Sequence, residues 1–414
     1  MRMTNVFFPR EMFWRVLLLG GAVVISFAVG EGLVRIIGEQ DARGQFVFRG
    51  HHIRPYQLPL EPITAQLQAY QSSDRTRVIY HPILGWTHRP NHRSSDGLYH
   101  YNSRGLRSTP QEFSELPAKG VLRIALFGDS YTHGDDVSYE YTFAYMLEQR
   151  LNARGITAEV MNFGVGGYGI DQAFLRFRHE GTKAAAHLIV FGFQAEDVKR
   201  NLNLIRPLFF TRTGLPFAKP RFVLKEEQLE LINVPVLPTD RLLDTLLDFD
   251  RWELSPYEAF YEKYANPWWR RSKLLAVSAD LLGSTARDRS FYDPHSEAGK
   301  LALKLIETFK LEAKANGAEF LIVHLPELHD LRSLCRSGQV KYQSLLDELD
   351  ARYEVVHPEA QMLATSLRPD LTDLFAGHYN YQGNLAVADV LFTAIIDHEG
   401  RRKRGALPPK RGTP

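Results

Sequence analysis

Residues 123–134, RIALFGDSYTHG, constrain the fold of this chain more than any other stretch. Ile124, Ala125, Leu126 and Phe127 form a continuous apolar run, the pattern of a strand buried on both faces of a parallel sheet. Gly128 permits a sharp turn after it, which lifts Ser130 to the carboxyl edge of the sheet. Ligands of open α/β sheets bind at that edge, so Ser130 is placed for chemistry. The plainer role for a serine at this position is to cap the next helix.

From Val121 onward strands and helices alternate, the signature of a parallel sheet covered on both faces. The expected strands are Arg123–Phe127, Val160–Phe163, His187–Phe193, Phe320–Leu325 and Tyr353–His357. The expected helices are Tyr141–Arg154, Asp171–Glu180, Glu297–Ala315, Gln339–Leu349 and Gln382–Ile396. About a hundred residues, 199–296, interrupt this order. Loops of that length inside a domain are functional or carry their own structure. Phe222–Leu231 reads as a hairpin, and Tyr257–Trp269 is dense in aromatics, so the insertion is a substrate-binding lid or an apron that packs the preceding stalk.

The chain begins with an apolar stretch, Phe13–Ile37, long enough to cross a bilayer. Residues 1–38 are read as a membrane anchor. A cleaved signal peptide is the rival, with Ala28-Val29-Gly30 as its processing site. Arg2, Arg10 and Arg15 before the run balance Arg35, Arg43, Arg49 and Arg54 after it, so charge does not set the orientation. Residues 39–119 read as a stalk lying on the following domain, with a short helix at Glu61–Tyr70 and with Trp86 and Tyr101 as buried anchors. The domain proper spans 120–400.

With 44% hydrophobic residues, 414 positions can bury a large core. A formal net charge of +2 gives no global field for nucleic acid, and no nucleic-acid partner is expected. Residues 401–414 form a basic tail, read as a solvated terminus. The single Cys335 excludes an intrachain disulfide and any multi-cysteine metal site, and is expected to be a buried or half-buried thiol. No metal is expected. His88 and His92 are separated by Pro90, which argues against a helix that would pair them, and His51, His52 and His179 have no evident ligand partners. The glycine-rich 164–169 lacks the lysine and hydroxyl of a phosphate loop, so no nucleotide cofactor is expected either.

Three stretches together resemble the SGNH (GDSL-type) hydrolases: Gly128-Asp129-Ser130, then Asn162-Phe163-Gly164-Val165-Gly166-Gly167-Tyr168, then His378-Tyr379-Asn380 with Gly383. The resemblance covers Arg123 to His398. Leu84-Gly85-Trp86 and Tyr101–Arg107 are similar to the lead-in of membrane-anchored bacterial members. It implies a three-layer α/β/α, flavodoxin-like parallel sheet. It also implies Ser130 as nucleophile, His378 as the base that removes its proton, and the N–H groups of Ser130 and Gly167 as oxyanion donors.

Two positions depart from the family pattern. The aspartate usually found two or three residues before the histidine is replaced by Phe375 and Ala376. Asp373 is then the nearest carboxylate upstream and is assigned to the second ring nitrogen of His378; otherwise a Ser-His dyad held by a backbone carbonyl remains. The asparagine that usually supplies a third oxyanion donor is replaced by Glu196, whose ionised carboxylate can only accept hydrogen bonds. Either burial keeps Glu196 protonated, or Gln194, Asn201 or Asn203 supplies an amide, or catalysis is weakened. His133 is expected to line the pocket.

The expected function is that of a cofactor-free serine esterase or O-acyltransferase, held in the inner membrane by one helix with its globular part periplasmic. Its expected substrate is an acylated carbohydrate, an acetyl ester of an envelope glycan. The competing reading is a weakened SGNH-fold protein that binds glycan or acts as a scaffold. A third reading makes the insertion 199–296 a docking surface for a membrane O-acyltransferase partner, with Ser130 passing the acyl group on.

Overall fold

The computed structural model describes residues 10–42, 44–73, 76–108 and 112–405. Its contacts divide the chain into two units, one made of the residues up to Leu58 with Tyr261–Asp288, the other of Pro59–Phe260 with the residues from Arg289 on. The boundaries read from the sequence at 119, 199 and 296 all fall inside the larger unit. The stalk divides at Leu58, and only Tyr261–Asp288 of the long insertion leaves the larger unit.

In the smaller unit, a helix spans Arg10–Ile37, and its Glu11–Ile37 portion is long and apolar enough to cross a membrane. Near its end the Glu31 carboxylate accepts hydrogen bonds from the Ser272 hydroxyl and from the N–H groups of Lys273 and Leu274. It thereby serves the first turn of a second helix, Lys273–Ser290, that the sequence did not disclose. Val34, Phe46, Ile53, Ala276 and Val277 form a small core. Asp280 holds Arg54 at 2.6 Å and Arg270 at 3.1 Å.

The larger unit is built on five parallel strands, β1 (Leu122–Phe127), β2 (Ala158–Asn162), β3 (Leu188–Phe193), β4 (Glu319–His324) and β5 (Val355–Val356). Their spatial order is β2-β1-β3-β4-β5, the flavodoxin-like order. Alternation along β1 explains the three layers. Ile124 and Leu126 face α1 (Phe143–Ala153) and α5 (Tyr381–Gly405), while Ala125 and Phe127 face α2 (Ile170–His179), α3 (Glu297–Ala315) and α4 (Gln343–Arg352). Phe309 of α3 centres the second face, with its ring 5.7 Å from Phe127, 4.9 Å from Phe177 and 5.9 Å from Phe191. All five expected strands and all five expected helices are present, with ends shifted by up to two residues at the strands and up to four at the helices, apart from the end of α5. The last helix runs nine residues further, into the stretch read as a tail, and 406–414 lie outside the described residues.

The lead-in is better ordered than its prolines suggested. A helix at Leu60–Gln71 precedes an antiparallel pair, Val78–His81 with Gly85–His88, and both Trp86 and Tyr101 are fully buried. The Trp86 indole N–H donates to the Gly166 carbonyl at 3.0 Å and the Tyr168 hydroxyl donates to the Trp86 carbonyl at 2.6 Å. The lead-in therefore grips the glycine-rich loop that follows β2. Cys335, expected to be buried, is exposed: it lies in a helix, Leu328–Ser337, of which only Asp330 and Leu331 are buried.

One ion pair is sealed inside. Lys219 and Asp171 are both fully buried and bonded to each other, and the ammonium also donates to the carbonyls of Arg200 at 3.1 Å and Asn203 at 3.3 Å. Breaking one half leaves the other charge dry and unmatched. Asp171→Ala is therefore expected to destabilise the chain by about 3–5 kcal/mol, whereas Asp171→Leu with Lys219→Met costs far less. Denaturant midpoints of the two variants check this.

Candidate active site

The order β2-β1-β3 makes the chain leave β1 and β3 toward opposite sides of the sheet, which opens a crevice at their carboxyl ends. Ser130 stands there as the first residue of a single helical turn, Ser130–His133. Gly128 is required for space and not for an unusual backbone angle. A Cβ on it would stand 2.2 Å from the Thr132 hydroxyl oxygen, and one on Gly192 of β3 would stand 2.1 Å from the same atom. The cap of this turn is Asp129, whose carboxylate accepts the Tyr131 N–H at 2.9 Å. The Ser130 hydroxyl is thus free of the capping role and available for other chemistry.

That hydroxyl meets His378. The Ser130 Oγ and His378 Nε2 are 2.8 Å apart, with Ser130 only 7% exposed. His378 is brought there by a short antiparallel pair, Phe375–Ala376 with His378–Tyr379, just ahead of α5. The Tyr379 hydroxyl pins this segment to the Pro326 carbonyl at 2.7 Å, and Asn384 ties it to the Phe143 N–H at 3.0 Å.

The carboxylate on the other ring nitrogen is Asp136, which corrects the assignment to Asp373. Asp136 Oδ2 lies 2.8 Å from His378 Nδ1 and also accepts the His378 backbone N–H at 3.1 Å. Asp373 instead accepts from the Ser366 hydroxyl at 2.6 Å and the Leu367 N–H at 2.7 Å, so it closes its own loop. Ser130, His378 and Asp136 form an unbroken hydrogen-bonded series with the imidazole in the middle. This is the arrangement that lets His378 take the Ser130 proton while its positive form is held by a carboxylate.

Glu196 is at the cleft wall, but not as a proton-bearing donor. Its carboxylate pairs with Arg200 at 2.6 Å, and although burial acts to raise its pKa, the guanidinium outweighs this and holds it below the ordinary carboxylate range. Arg200 also binds Asp129 at 3.0 Å and Asp197 at 2.6 Å. None of the amides offered as substitutes lines the cleft. Gln194 is bonded to Glu327 and to the Glu196 N–H, Asn201 accepts the Asp171 N–H, and Asn203 donates to Ile205 and Glu258. The N–H groups of Ser130 and Gly167 make no hydrogen bond among the described residues and remain open to a ligand.

His133 is fully buried and does not line the cleft. Its ring bonds Asp135 at 2.6 Å and the Tyr101 hydroxyl at 3.1 Å, and burial pushes its pKa down to about 4 against the pull of Asp135. It anchors the lead-in under the Ser130 turn.

The cleft has a volume of about 730 Å³. Ser130 and His378 lie on its wall with Gly167, Glu196 and four arginines, Arg77, Arg200, Arg206 and Arg212. Away from it, the ends of β4 and β5 bring His324, His357 and Glu359 within 4.8 Å of one another, a grouping the sequence does not disclose because the adjacent strands create it. Glu359 accepts from both rings, and the distal nitrogens bond Tyr342 at 2.9 Å and Asp350 at 2.8 Å. The Glu359 contact, with Asp350 adding to it, raises the pKa of His357 to about 9, so the cluster is held together by shared protons.

No family model and no curated protein matches the chain. Solved structures similar to it include the acetyl xylan esterase AlAXEase (14% identity, 66% of this chain and 100% of that one, TM-score 0.35). A GDSL-like lipase from Bacteroides thetaiotaomicron VPI-5482 is similar at 13% identity over 69% of this chain and 93% of that one, with a TM-score of 0.33. The lipase/acylhydrolase from Enterococcus faecalis is similar at 14% identity over 70% of this chain and 100% of that one, with a TM-score of 0.34.

Proposed function

We propose that this chain is a serine esterase of the SGNH type that forms an acyl-enzyme on Ser130. The observation that carries this reading is the series Ser130 Oγ, His378, Asp136, with both links at 2.8 Å. In the first step His378 Nε2 takes the Ser130 proton as Oγ attacks the ester carbonyl. The N–H groups of Ser130 and Gly167 stabilise the oxyanion, each typically worth about 3 kcal/mol. Collapse expels the alcohol, protonated by His378, and leaves the acyl group on Ser130. Water then releases the acid, or an acceptor hydroxyl takes the acyl group, which is the O-acyltransferase form of the same chemistry.

The helix Arg10–Ile37 supports a membrane anchor, and a catalytic unit outside the cytoplasm is what the resemblance to anchored bacterial members implies. An acetyl ester of an envelope glycan is the substrate the resemblance to anchored bacterial members implies. The competing reading, a weakened binding module, rested on Ala376 and Glu196. Asp136 speaks against the first of these grounds, because it meets His378 Nδ1 at 2.8 Å without a carboxylate at 376.

A fluorophosphonate reports an activated serine directly. The detergent-solubilised full chain is expected to be labelled, with label absent from Ser130→Ala and His378→Ala. A folded wild type that stays unlabelled overturns the esterase reading.

A further inference from the structure

We propose that the cleft takes an ester carrying a negative charge close to the scissile carbonyl, and that Arg206 binds that charge. The inference rests on the esterase reading and adds the substrate class.

Arg206 is 6% exposed and lies on the wall of the same cleft as Ser130. Its Nε donates to the Thr213 hydroxyl at 3.2 Å, and its guanidinium lies 5.2 Å from the centre of the Phe209 ring. These contacts fix the fork in place but leave Nη1, which is buried, without a hydrogen-bond partner among the described residues. Among the described residues no carboxylate forms an ion pair with it within 4.0 Å either. The carboxylates on that side, Asp129, Glu196 and Asp197, are each bonded to Arg200. Burial, with the charge of Arg200 adding to it, pushes the pKa of Arg206 down to about 9. The charges of Glu196, Asp197 and Asp129 offset this only in part, so a buried guanidinium with an unbonded N–H gains from an anion that reaches it, and its planar fork matches a carboxylate.

The position of the fork ties it to the chemistry. Its central carbon is 3.5 Å from the place a Cβ on Gly167 would occupy, beside one of the proposed oxyanion donors. Arg212, exposed at the cleft, adds a second cation. Thr213, which holds Arg206, lines the cleft too, so Arg206 belongs to the wall that meets the substrate. A neutral acetyl or alkyl ester would leave the guanidinium without a partner on binding, whereas an ester with a nearby carboxylate supplies one.

The test uses two pairs of esters on the full chain in detergent. Mono(4-nitrophenyl) succinate against 4-nitrophenyl pentanoate places the charge on the acyl side, and 4-acetoxybenzoate against phenyl acetate places it on the alcohol side. Wild type is expected to favour the charged member of at least one pair in kcat/KM. Arg206→Gln is expected to lower that preference by roughly 10- to 100-fold, chiefly through KM, and Arg206→Lys to retain part of it. No preference in either pair overturns the proposal, as does a preference that survives Arg206→Gln. Equal losses on charged and neutral esters also overturn it, since they place Arg206 on the oxyanion.

Binding to Ser130→Ala, followed by calorimetry, separates this from the esterase reading because it needs no turnover. The charged ester of the preferred pair, or both charged esters where none is turned over, is expected to bind Ser130→Ala. Adding Arg206→Gln is expected to weaken that binding by the same factor. Absent turnover and absent fluorophosphonate labelling with this binding intact sink the esterase and leave the anion subsite. Labelling with neither charged-ester preference nor binding sinks the subsite alone.

Discussion

Ser130→Ala is expected to reduce kcat for ester cleavage by about 10⁶-fold, and His378→Ala by a similar factor, with the double variant no slower than either alone. The reasoning starts from the nucleophile. A serine hydroxyl at neutral pH is almost entirely protonated, and only a base within hydrogen-bond reach makes it reactive. His378 Nε2, 2.8 Å from Oγ, is that base. Removing either partner abolishes the same step, so the two losses do not add. What remains is the roughly 10³–10⁴-fold advantage over water that oxyanion donors and binding supply without a nucleophile. Stability is a separate matter, because the Ser130 hydroxyl has no capping duty, Asp129 having taken it. Thermal midpoints should fall by no more than the loss of one hydrogen bond, about 1 kcal/mol, entails. Steady-state kinetics on the full chain decides it, and a Ser130→Ala variant that keeps more than a small fraction of wild-type turnover removes Ser130 from the mechanism.

How far the sequence discloses this site depends on whether a residue acts through its neighbours in the chain or through partners brought by folding. Ile124–Phe127 and Leu188–Phe193 announce themselves because burial on both faces demands unbroken apolar runs. Ser130 and His378 are visible because each sits in a short block whose glycines and asparagine serve local geometry. Gly128 makes room for Thr132, and Asn380 accepts the N–H groups of Gln382 and Gly383 at the start of α5.

Asp136 is different. It sits six residues after the nucleophile, at φ 70°, and its carboxylate meets a histidine 242 residues away. Nothing in Gly134-Asp135-Asp136 says which of the two carboxylates meets His378, and Asp135 in fact bonds His133 while lining the cleft. The pairing of Glu196 with Arg200 was within reach, because four residues on a helix bring opposite charges together. The open fork of Arg206 was not. An unpaired charge is defined by where every carboxylate in the folded unit ends up.

Asp136→Asn is expected to lower kcat by about 10⁴-fold, equivalent to roughly 5 kcal/mol of transition-state stabilisation, while Asp373→Asn leaves kcat within about twofold. The carboxylate at 136 only accepts hydrogen bonds, so it fixes the proton of His378 on Nδ1 and leaves Nε2 bare to receive the one from Ser130. An amide at 136 can present its NH₂ to Nδ1, which moves the ring proton to Nε2 and blocks that transfer, and it cannot stabilise the imidazolium that forms. The loop should keep its shape in the variant. The Tyr99 hydroxyl still accepts the N–H of residue 136 at 3.1 Å, and only the bond from the His378 backbone N–H, which Oδ2 accepts at 3.1 Å beside Nδ1, is lost when NH₂ takes the place of that oxygen. Gly377 lets the two segments approach, since a Cβ there would stand 2.5 Å from Asp136 Oδ2. Asp373→Asn acts elsewhere. It weakens the bonds to Ser366 and Leu367, costs about 1 kcal/mol of stability, and has no route to the imidazole. Comparing kcat and thermal midpoint for the two variants separates the roles: a large kcat loss from Asp373→Asn, or none from Asp136→Asn, assigns the orienting carboxylate to the other residue or to none.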